Sequence, residues 1–415
     1  MTVLDDIRGQ TFAALKGPNF RRYISGQAVS LIGTWMQTVA QSWLVLELTG
    51  SATAIGVVLA LQTVPMLLLG PYGGVVADRT DKRRLMIFLQ SLMGVQALLL
   101  GLLVVTDTVA LWHVYVLAVM LGLNQCFENP ARQSFMLEMV GPKDLRNAVS
   151  LQSVLASCSR MIGPAVAGIV IAAGGLGVCF LLNAASFVAV IASLVTLDVS
   201  KLQPSPPAAR AKGQLREGLA YVRNDADLAV PLLMMALVGC LAFEFQVVLP
   251  IVADHTFDAG AGAYGLLTAA MGAGSVVGGL VIATWGRTGT KPLVVTALAF
   301  AVAMGIAAAA PNLTVVIATM VVVGAVSTAF TSTTNSTLQL ASAPTMRGRV
   351  MALWSVAFLG STAVGGPIAG WVCEQWGGRA GLLLGAVACL VAAAGGVFAL
   401  RPRVPTRAAL PPATG

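Results

Sequence analysis

The stretch that decides the fold is Gly74-Val75-Val76-Ala77-Asp78-Arg79-Thr80-Asp81-Lys82-Arg83-Arg84. A glycine four residues before Asp78 permits close helix packing, and an aspartate can accept hydrogen bonds from the N-terminus of a neighbouring helix. The trailing cations suit the surface of a membrane, so the stretch predicts a short loop between two spanning helices. An ordinary loop, held at the cytoplasmic surface by its positive charge, is the simpler alternative.

The composition around this loop excludes a soluble protein. The chain has 415 residues, of which 57% are hydrophobic and 10% charged, whereas soluble domains carry about 25% charged residues. The net charge of +8 lies in short clusters between apolar runs, which indicates membrane topology rather than nucleic-acid binding. Six cysteines occur singly in apolar stretches and the chain has two histidines, so we expect no metal site.

The apolar runs are long enough to cross a bilayer as helices, in which every backbone polar group is paired. They lie at residues 22–47, 54–77, 85–106, 111–131, 147–172, 177–198, 228–253, 262–284, 291–309, 313–336, 348–374 and 379–400. The sequence therefore predicts an all-α membrane protein with twelve transmembrane helices in two pseudo-symmetric six-helix bundles. The predicted divisions are a first bundle at 1–198, a cytoplasmic linker at 199–227, a second bundle at 228–400 and a cytoplasmic tail at 401–415.

Lysine and arginine residues predict the orientation. All but two of the 25 fall in segments on one side of the predicted membrane, the exceptions being Arg160 and Arg379. Positively charged loops stay in the cytoplasm. We therefore expect a multi-pass membrane protein with both termini and the linker on the cytoplasmic side.

The two halves repeat each other when the sequence is shifted by 202 residues. Leu151-Gln152-Ser153-Val154 then falls on Leu353-Trp354-Ser355-Val356, and Ala167-Gly168 falls on Ala369-Gly370. Such matches support a duplicated six-helix unit whose copies are related by an axis along the membrane normal.

The loop after the second span resembles the signature of the major facilitator superfamily, GxxxDRxGxRR. The matching positions are Gly74, Asp78, Arg79, Arg83 and Arg84, and Asp81 stands where the signature has glycine. The resemblance implies that this loop braces the cytoplasmic closure between the halves. The corresponding loop of the second half, at 286–291, lacks the acid, so we expect the first copy alone to act fully.

A second motif lies in the fifth span. Gly163-Pro164-Ala165-Val166-Ala167-Gly168 is similar to the superfamily's antiporter motif, GPxxGG, with Ala167 in place of one glycine. Small residues let helices approach closely and proline bends a helix, so ordinary tight packing explains the motif equally well on physical grounds alone. The resemblance favours export over uptake.

Three further stretches resemble one branch of the superfamily, the enterobactin-exporter-like permeases, also called transmembrane secretion effectors. They are residues 20–52, Asn129–Gln133 and Arg347–Val350. Together with the loop motif, the resemblance spans nearly the whole chain, and it implies no particular substrate.

Glu244 lies deep in the seventh span, in Phe243-Glu244-Phe245-Gln246. A charge inside a bilayer costs about 2.5–3.5 kcal/mol on insertion scales, which makes such residues functional candidates. An apolar environment favours the protonated carboxyl, so we expect Glu244 to carry a proton. A polar contact with substrate and a structural pairing are the alternatives. Gln246 is a further candidate for contact with the substrate.

Three other charged residues, in or next to the predicted spans, are functional candidates. Arg160 stays protonated and either binds an anionic group in the cavity or pairs with a carboxylate beside the Gly-Pro motif. Glu128 and Arg132 form an i,i+4 pair near the end of the fourth span. By the resemblance, such a pair joins the signature loop, so we expect a cytoplasmic gate, with Arg79 or Arg83 as partners of Glu128, rather than substrate binding.

Polar stripes follow one face of the first and tenth spans. The stripe of the first span is Ser30, Thr34, Gln37 and Gln41, and that of the tenth includes Ser327, Thr331, Thr334 and Asn335. Such a face avoids lipid and either lines an aqueous cavity or bonds to another helix. The resemblance implies that helices one, four, seven and ten line the central cavity.

The leading hypothesis is a proton-coupled secondary transporter that exports a small amphiphilic or siderophore-like molecule by alternating access. A facilitator or importer of the same fold is the second hypothesis, and a membrane-embedded enzyme or receptor is the third. Since the sequence has no P-loop, GxSxG or HExxH motif, we expect no enzymatic activity and no cofactor. We expect the proton gradient to supply the energy. The expected partners are a small-molecule substrate and the lipid bilayer, without nucleic acid or an obligate protein partner.

Overall fold

A computed structural model describes residues 13–203 and 214–400 of the chain. Within those residues we number twelve long helices in chain order. The first six are α1 Pro18–Thr49, α2 Ala52–Arg79, α3 Lys82–Val105, and α4, α5 and α6 at 111–140, 142–174 and 176–195. The second six are α7 Ala226–Thr256, α8 Gly260–Trp285, α9 Thr290–Ala309, α10 Leu313–Ala341, α11 Arg347–Trp376 and α12 Gly378–Ala399.

Local sequence signals determine where these helices begin and end. Pro18 stands in the first turn of α1, where a missing N–H is harmless, and Gly50 ends the helix in the left-handed conformation at φ 62°. Asp81 caps α3 by accepting a 2.9 Å hydrogen bond from a backbone N–H of the first turn. Gly141 and Gly175, at φ 71° and 80°, form the turns that separate α4, α5 and α6.

Two helices of the second half are interrupted. α7 is α-helical over Ala226–Ala242 and Phe245–Ile251, with Glu244 in the break between them, and π-helical over Val252–Thr256. α11 contains a π-helical turn at Val356–Gly360. The sequence predicts a continuous seventh span, so the break is a correction. Irregular turns of this kind are frequent at functional sites.

Successive loops fall at opposite ends of the helix bundle. The Gly50 end holds the turns at 50–51, 106–110, 175, 257–259, 310–312 and 377. The Thr80 end holds those at 80–81, 141, 196–203, 224–225, 286–289 and 342–346. The predicted cytoplasmic side is the Thr80 end.

Two helix pairs form most of the contact between the halves, α2 with α11 and α5 with α8. Gly56 of α2 lies so close to α11 that a side chain there would collide with the carbonyl oxygen of Gly366. A Cβ at Gly265 of α8 would lie 2.6 Å from the carbonyl oxygen of Pro164. Both contacts lie towards the Gly50 end, where the halves are packed against each other.

A short helix, Gln214–Arg223, packs on the Thr80 end of the second half. Arg349 Nη1 lies 2.6 Å from Glu217 Oε1, and the Tyr221 hydroxyl accepts a 3.2 Å hydrogen bond from the backbone N–H of Ala343. The predicted linker therefore contains a helix. Residues 204–213 of that linker and the predicted tail at 401–415 lie outside the described residues.

The helices are apolar enough to cross a membrane. Nine stretches of the described residues meet that condition by length and composition, and one of them, Leu111–Val195, holds α4, α5 and α6. The 32-residue α1 is not among them, in keeping with its polar stripe. The described residues contain no strand, which confirms the all-α prediction.

Candidate transport cavity

A cavity of about 420 Å³ lies between the two halves. Residues of α1 to α6 form one wall, and residues of α7 and α11 form the other. The volume falls within the roughly 300–1,000 Å³ that small-molecule sites occupy. In the described parts of the chain, no group of three or more His, Cys, Asp and Glu side chains is placed to hold a metal ion.

The polar stripe of α1 faces this cavity over most of its length. Thr34, Gln37 and Gln41 line the wall, while Ser30 is buried one turn further towards the Thr80 end. Asn183 of α6 donates a 2.6 Å hydrogen bond from Nδ2 to Oε1 of Gln37. The stripe thus combines both alternatives, a cavity wall and a contact with another helix, and its role in binding substrate stays a prediction.

The predicted stripe of α10 lies elsewhere. Within the described residues α10 contributes no side chain to the cavity wall. The hydroxyls of Ser327 and Thr331 donate to carbonyl oxygens of their own helix, at 3.0 and 2.7 Å. Oδ1 of Asn335 accepts a 2.6 Å hydrogen bond from Gln339. The structure therefore does not bring these residues together with the stripe of α1, and a substrate contact there stays a prediction.

Glu244 occupies the break in α7 and lines the cavity. It is 2% exposed, and its Oε1 has no hydrogen-bond partner among the described residues. The carboxyl group faces α11, since a Cβ at Gly365 would lie 2.9 Å from that oxygen. The side chain of Thr362 on α11 hydrogen-bonds to this carboxyl group, and no ion pair reaches it among the described residues. Burying a carboxylate without a cationic partner costs free energy. The structure therefore leaves Glu244 without a counter-ion, and its role in proton transfer stays a prediction.

Arg160 reaches the same cavity from α5. Its guanidinium carbon lies 4.9 Å from the centroid of the Trp35 ring, a cation–π contact. The side chain is exposed to the cavity and forms no ion pair with any described residue. The pairing with a carboxylate that the sequence left open is therefore not found in the described structure. Gln246 lines the opposite wall.

Several amide side chains of the wall were not predicted from the sequence. Gln62 of α2, Gln96 of α3, Gln125 of α4 and Asn183 of α6 all line the cavity. A single amide in an apolar span is a weak signal, because the sequence does not say which face of the helix meets the other half. Their presence makes the wall richer in hydrogen-bonding groups than we expected.

The predicted gate pair forms at the Thr80 end. Glu128 Oε1 and Arg132 Nε are 3.1 Å apart, and Gln90 places its amide nitrogen 3.5 Å from the same carboxylate oxygen. Glu128 is 8% exposed, and Gly74 of the neighbouring α2 is buried. A polar cluster therefore lies inside the first half near the loop, as the gate hypothesis requires.

The cations of the loop have other partners than the sequence suggested. Arg83 does not pair with Glu128, because its guanidinium donates two 2.7 Å hydrogen bonds to backbone carbonyls at the end of α6. Arg84 approaches Asp81 at 3.8 Å, and Arg79 is exposed. The side chain of Asp78 lies outside the part of the chain that the structure describes. The gate role of these residues stays a prediction.

A second ion pair at this end was not predicted. Lys82 Nζ lies 2.8 Å from Glu138 Oε1, and the two side chains are 9% and 11% exposed. Lys82 belongs to the loop motif, whereas Glu138 lies near the end of α4. No local pattern indicates a contact between residues so far apart in the sequence.

The antiporter-like motif lies where α5 packs against two other helices. A Cβ at Gly163 would lie 2.8 Å from the carbonyl oxygen of Ile32 in α1. The carbonyl oxygen of Pro164 approaches Gly265, and a Cβ at Gly168 would lie 3.2 Å from the backbone of α8. The motif thus forms close helix contacts, as its packing interpretation predicts. The direction of transport stays a prediction.

Comparison with known proteins shows which family the chain belongs to. The family model described as transmembrane secretion effector matches residues 9–412. The staphyloferrin A transporter of Staphylococcus aureus is 25% identical over 262 residues, which are 63% of this chain and 66% of that protein, just under two thirds of its length. The enterobactin exporter of Shigella boydii is 25% identical over 360 residues, 85% of each chain.

Solved structures agree on the fold. A point mutant of the nucleoside transporter NupG superposes with a TM-score of 0.74 at 13% identity, covering 94% of this chain and 100% of that one. At that identity the likeness shows the fold alone, and it confirms the predicted architecture. The family and the fold are those of transporters and not of enzymes. The chain therefore belongs to the transmembrane secretion effectors, a family of multi-pass membrane transporters within the major facilitator superfamily.

Proposed function

We propose that the protein is a secondary active transporter that exports a small amphiphilic or siderophore-like molecule in exchange for protons. The observation that carries this proposal is Glu244, an acid without an ion-pair partner, buried where α7 is interrupted and where the cavity meets α11. An ionisable group inside a membrane is costly and is characteristic of ion and proton pathways.

The packing between the halves supports alternating access. The close contacts of α2 with α11 and of α5 with α8 lie towards the Gly50 end. Transport would require these contacts to separate while the signature loop closes the Thr80 end. Glu244 faces Gly365 at this moving junction, so a change in its protonation would alter how α7 packs on α11, because a charged carboxylate needs water or a partner.

Relatives support the direction and the kind of cargo. One relative is named an exporter of enterobactin, and another is named a transporter of staphyloferrin A. We extend export of a small molecule of that kind to this chain. The proposed setting is the bacterial cell membrane with both termini in the cytoplasm. The proposed energy source is the proton gradient, and neither a cofactor nor an obligate protein partner is required.

Uptake into inside-out vesicles with an acidic interior tests the proposal. The compound panel should include enterobactin and staphyloferrin A. The wild-type protein should accumulate its substrate against a concentration gradient, and a protonophore should abolish the accumulation. Glu244→Gln should reduce pH-driven accumulation to the level of vesicles without the protein, while exchange down a substrate gradient continues.

Asp258→Asn is the matched control, because Asp258 is an exposed acid outside the cavity and asparagine tolerates its left-handed conformation at φ 50°. This variant should behave like the wild type. Accumulation that survives in Glu244→Gln would show that another group couples the proton. Wild-type transport that never exceeds equilibration would favour the facilitator, and concentration in the opposite direction would favour the importer.

A further inference from the structure

The cavity has one charged side chain on each half, and the two are not paired. Arg160 on α5 and Glu244 on α7 are the charged groups of its wall among the described residues. Neither side chain forms an ion pair in the described structure. Opposite charges that share a membrane-buried cavity without touching create a dipolar site, because each attracts the opposite charge of a ligand.

The wall of the first half is suited to an anionic group. Arg160 is exposed to the cavity, and the ring of Trp35 lies 4.9 Å from its guanidinium carbon. Stacking on an aromatic ring orients the planar guanidinium and leaves its edge donors free. Such a fork binds carboxylate or phosphate oxygens through two parallel hydrogen bonds.

The wall of the second half is suited to a cationic group. Glu244 lies two residues after the helical segment Ala226–Ala242 and directly before the segment Phe245–Ile251, so two helix ends of opposite partial charge meet beside it. The preference for a cation therefore rests on the carboxylate of Glu244 itself, which has no ion-pair partner among the described residues.

Proton exchange adds a constraint on the substrate. An anion without a positive group would favour the protonated Glu244, so substrate and proton would bind together instead of exchanging. A cation without a negative group would be repelled by Arg160 and would leave that charge unpaired. A molecule with both charges satisfies Arg160 and competes with the proton for Glu244.

We infer that the transported molecule is zwitterionic, with its anionic group on Arg160 and its cationic group in the place of the proton on Glu244. This inference rests on the proposed function. Gln41, Gln62, Gln125 and Gln246 also line the cavity, and none of them has a side-chain hydrogen bond to another described residue. These amides are available to polar, uncharged groups of the molecule.

A charge-matched probe set tests the inference by calorimetric titration of the purified full-length protein in detergent. The rigid zwitterion is 4-(aminomethyl)benzoate, and its primary amide, its N-acetyl derivative and the N-acetyl amide supply the cation, the anion and the neutral analogue. The flexible zwitterion 6-aminohexanoate allows for a different spacing of the charges. At least one zwitterion should bind about tenfold or more tightly than each singly charged analogue, since each analogue lacks one of the two charged hydrogen-bonded contacts.

Substitutions assign each charge to its partner. Arg160→Gln should weaken the zwitterion about 10- to 100-fold and leave the cationic analogue unaffected. Arg160→Lys should retain part of the preference, which separates charge from folding. Glu244→Gln should weaken the zwitterion and leave the anionic analogue unaffected. Arg287→Gln and Asp258→Asn remove exposed charges outside the cavity and should match the wild type.

Proton release separates this inference from the proposed function. Titrations in buffers of different ionisation enthalpy should show that the wild type releases protons on binding the zwitterion and that Glu244→Gln does not. Equal affinity for zwitterionic and singly charged probes, or no binding of either zwitterion, overturns the inference even if pH-driven transport depends on Glu244. Selective zwitterion binding without proton release upholds the substrate class and contradicts proton exchange.

Discussion

At the residue scale, the most enclosed ion pair of the described structure joins Lys82 and Glu138, whose side chains are 9% and 11% exposed. Taking two charges out of water costs free energy, which their attraction repays only while both are present. The pair joins the first turn of α3 to the end of α4, directly beside the loop at 80–81. The position of that loop therefore depends on this contact.

Removing one partner should destabilise the protein more than removing both. Lys82→Met leaves Glu138 charged and enclosed, which should lower the free energy of unfolding by about 3 kcal/mol. The double variant Lys82→Met/Glu138→Leu should lose less, because no unpaired charge remains. The measurement is the thermal unfolding midpoint in detergent, with Lys291→Met as an exposed control. Simple additivity of the two single variants would show that the pair is not coupled.

Residues of the site differ in how visible they are in the sequence. Arg160 and Glu244 are conspicuous because a charge within an apolar run has few explanations. Gln62 and Gln125 carry no such signal, and their place on the wall depends on how the halves meet. The stripe of α10 is the opposite case, because the sequence marks it clearly and it lies off the described cavity wall. Serine and threonine hydroxyls bond to carbonyls one turn earlier, so a hydroxyl-rich face needs no cavity.

At the element scale, α2 and α11 form the closest helix contact between the halves that we describe. Gly56 meets the backbone of Gly366, and one turn further Gly370 meets the backbone at Ala52. Glu374 extends the contact by accepting hydrogen bonds from the Ser51 hydroxyl at 2.8 Å and the Thr53 N–H at 3.2 Å. Any side chain at Gly56 must push the two helices apart.

Gly56→Ala should therefore open the Gly50 end, whereas Gly70→Ala in the same helix should not. Gly70 has no atom near the position of an added Cβ, and both substitutions raise helix propensity equally. Spin labels at Thr108 of the first half and Gln375 of the second report the separation by pulsed electron resonance. Gly56→Ala should shift the distance distribution to longer values. Identical distributions for the two variants would contradict a closed contact at Gly56.

The positions of the helices were predictable because lipid forces every apolar run to pair its own backbone. The lengths of the helices were less predictable from the sequence. α4 continues to residue 140, well past the predicted 131, since polar residues extend a helix beyond the apolar layer that hydropathy detects. The break at Glu244 carries no glycine or proline signal. It lies where α7 meets the glycines of α11, and only tertiary contacts place it there.

At the scale of the whole molecule, the two basic residues that break the charge asymmetry have local explanations. Arg160 faces the cavity. Arg379 lies at the Gly50 end, where it donates a 3.0 Å hydrogen bond to the Ala310 carbonyl at the end of α9 and lies 5.9 Å from the Phe257 ring. A cation at a helix C-terminus is electrostatically favourable. Neither residue therefore weakens the prediction that the Thr80 end faces the cytoplasm.

Cysteine labelling on intact cells tests that orientation. Thr108 and Thr288 are exposed at the Gly50 end and the Thr80 end respectively, and each is changed to cysteine in a variant whose six native cysteines are replaced. Since positive loops stay in the cytoplasm, a membrane-impermeant maleimide should label Thr108→Cys on intact cells. It should label Thr288→Cys only after permeabilisation. Labelling of Thr288→Cys on intact cells would show that the protein has the opposite orientation in the membrane. The closed Gly50 end would then face the cytoplasm.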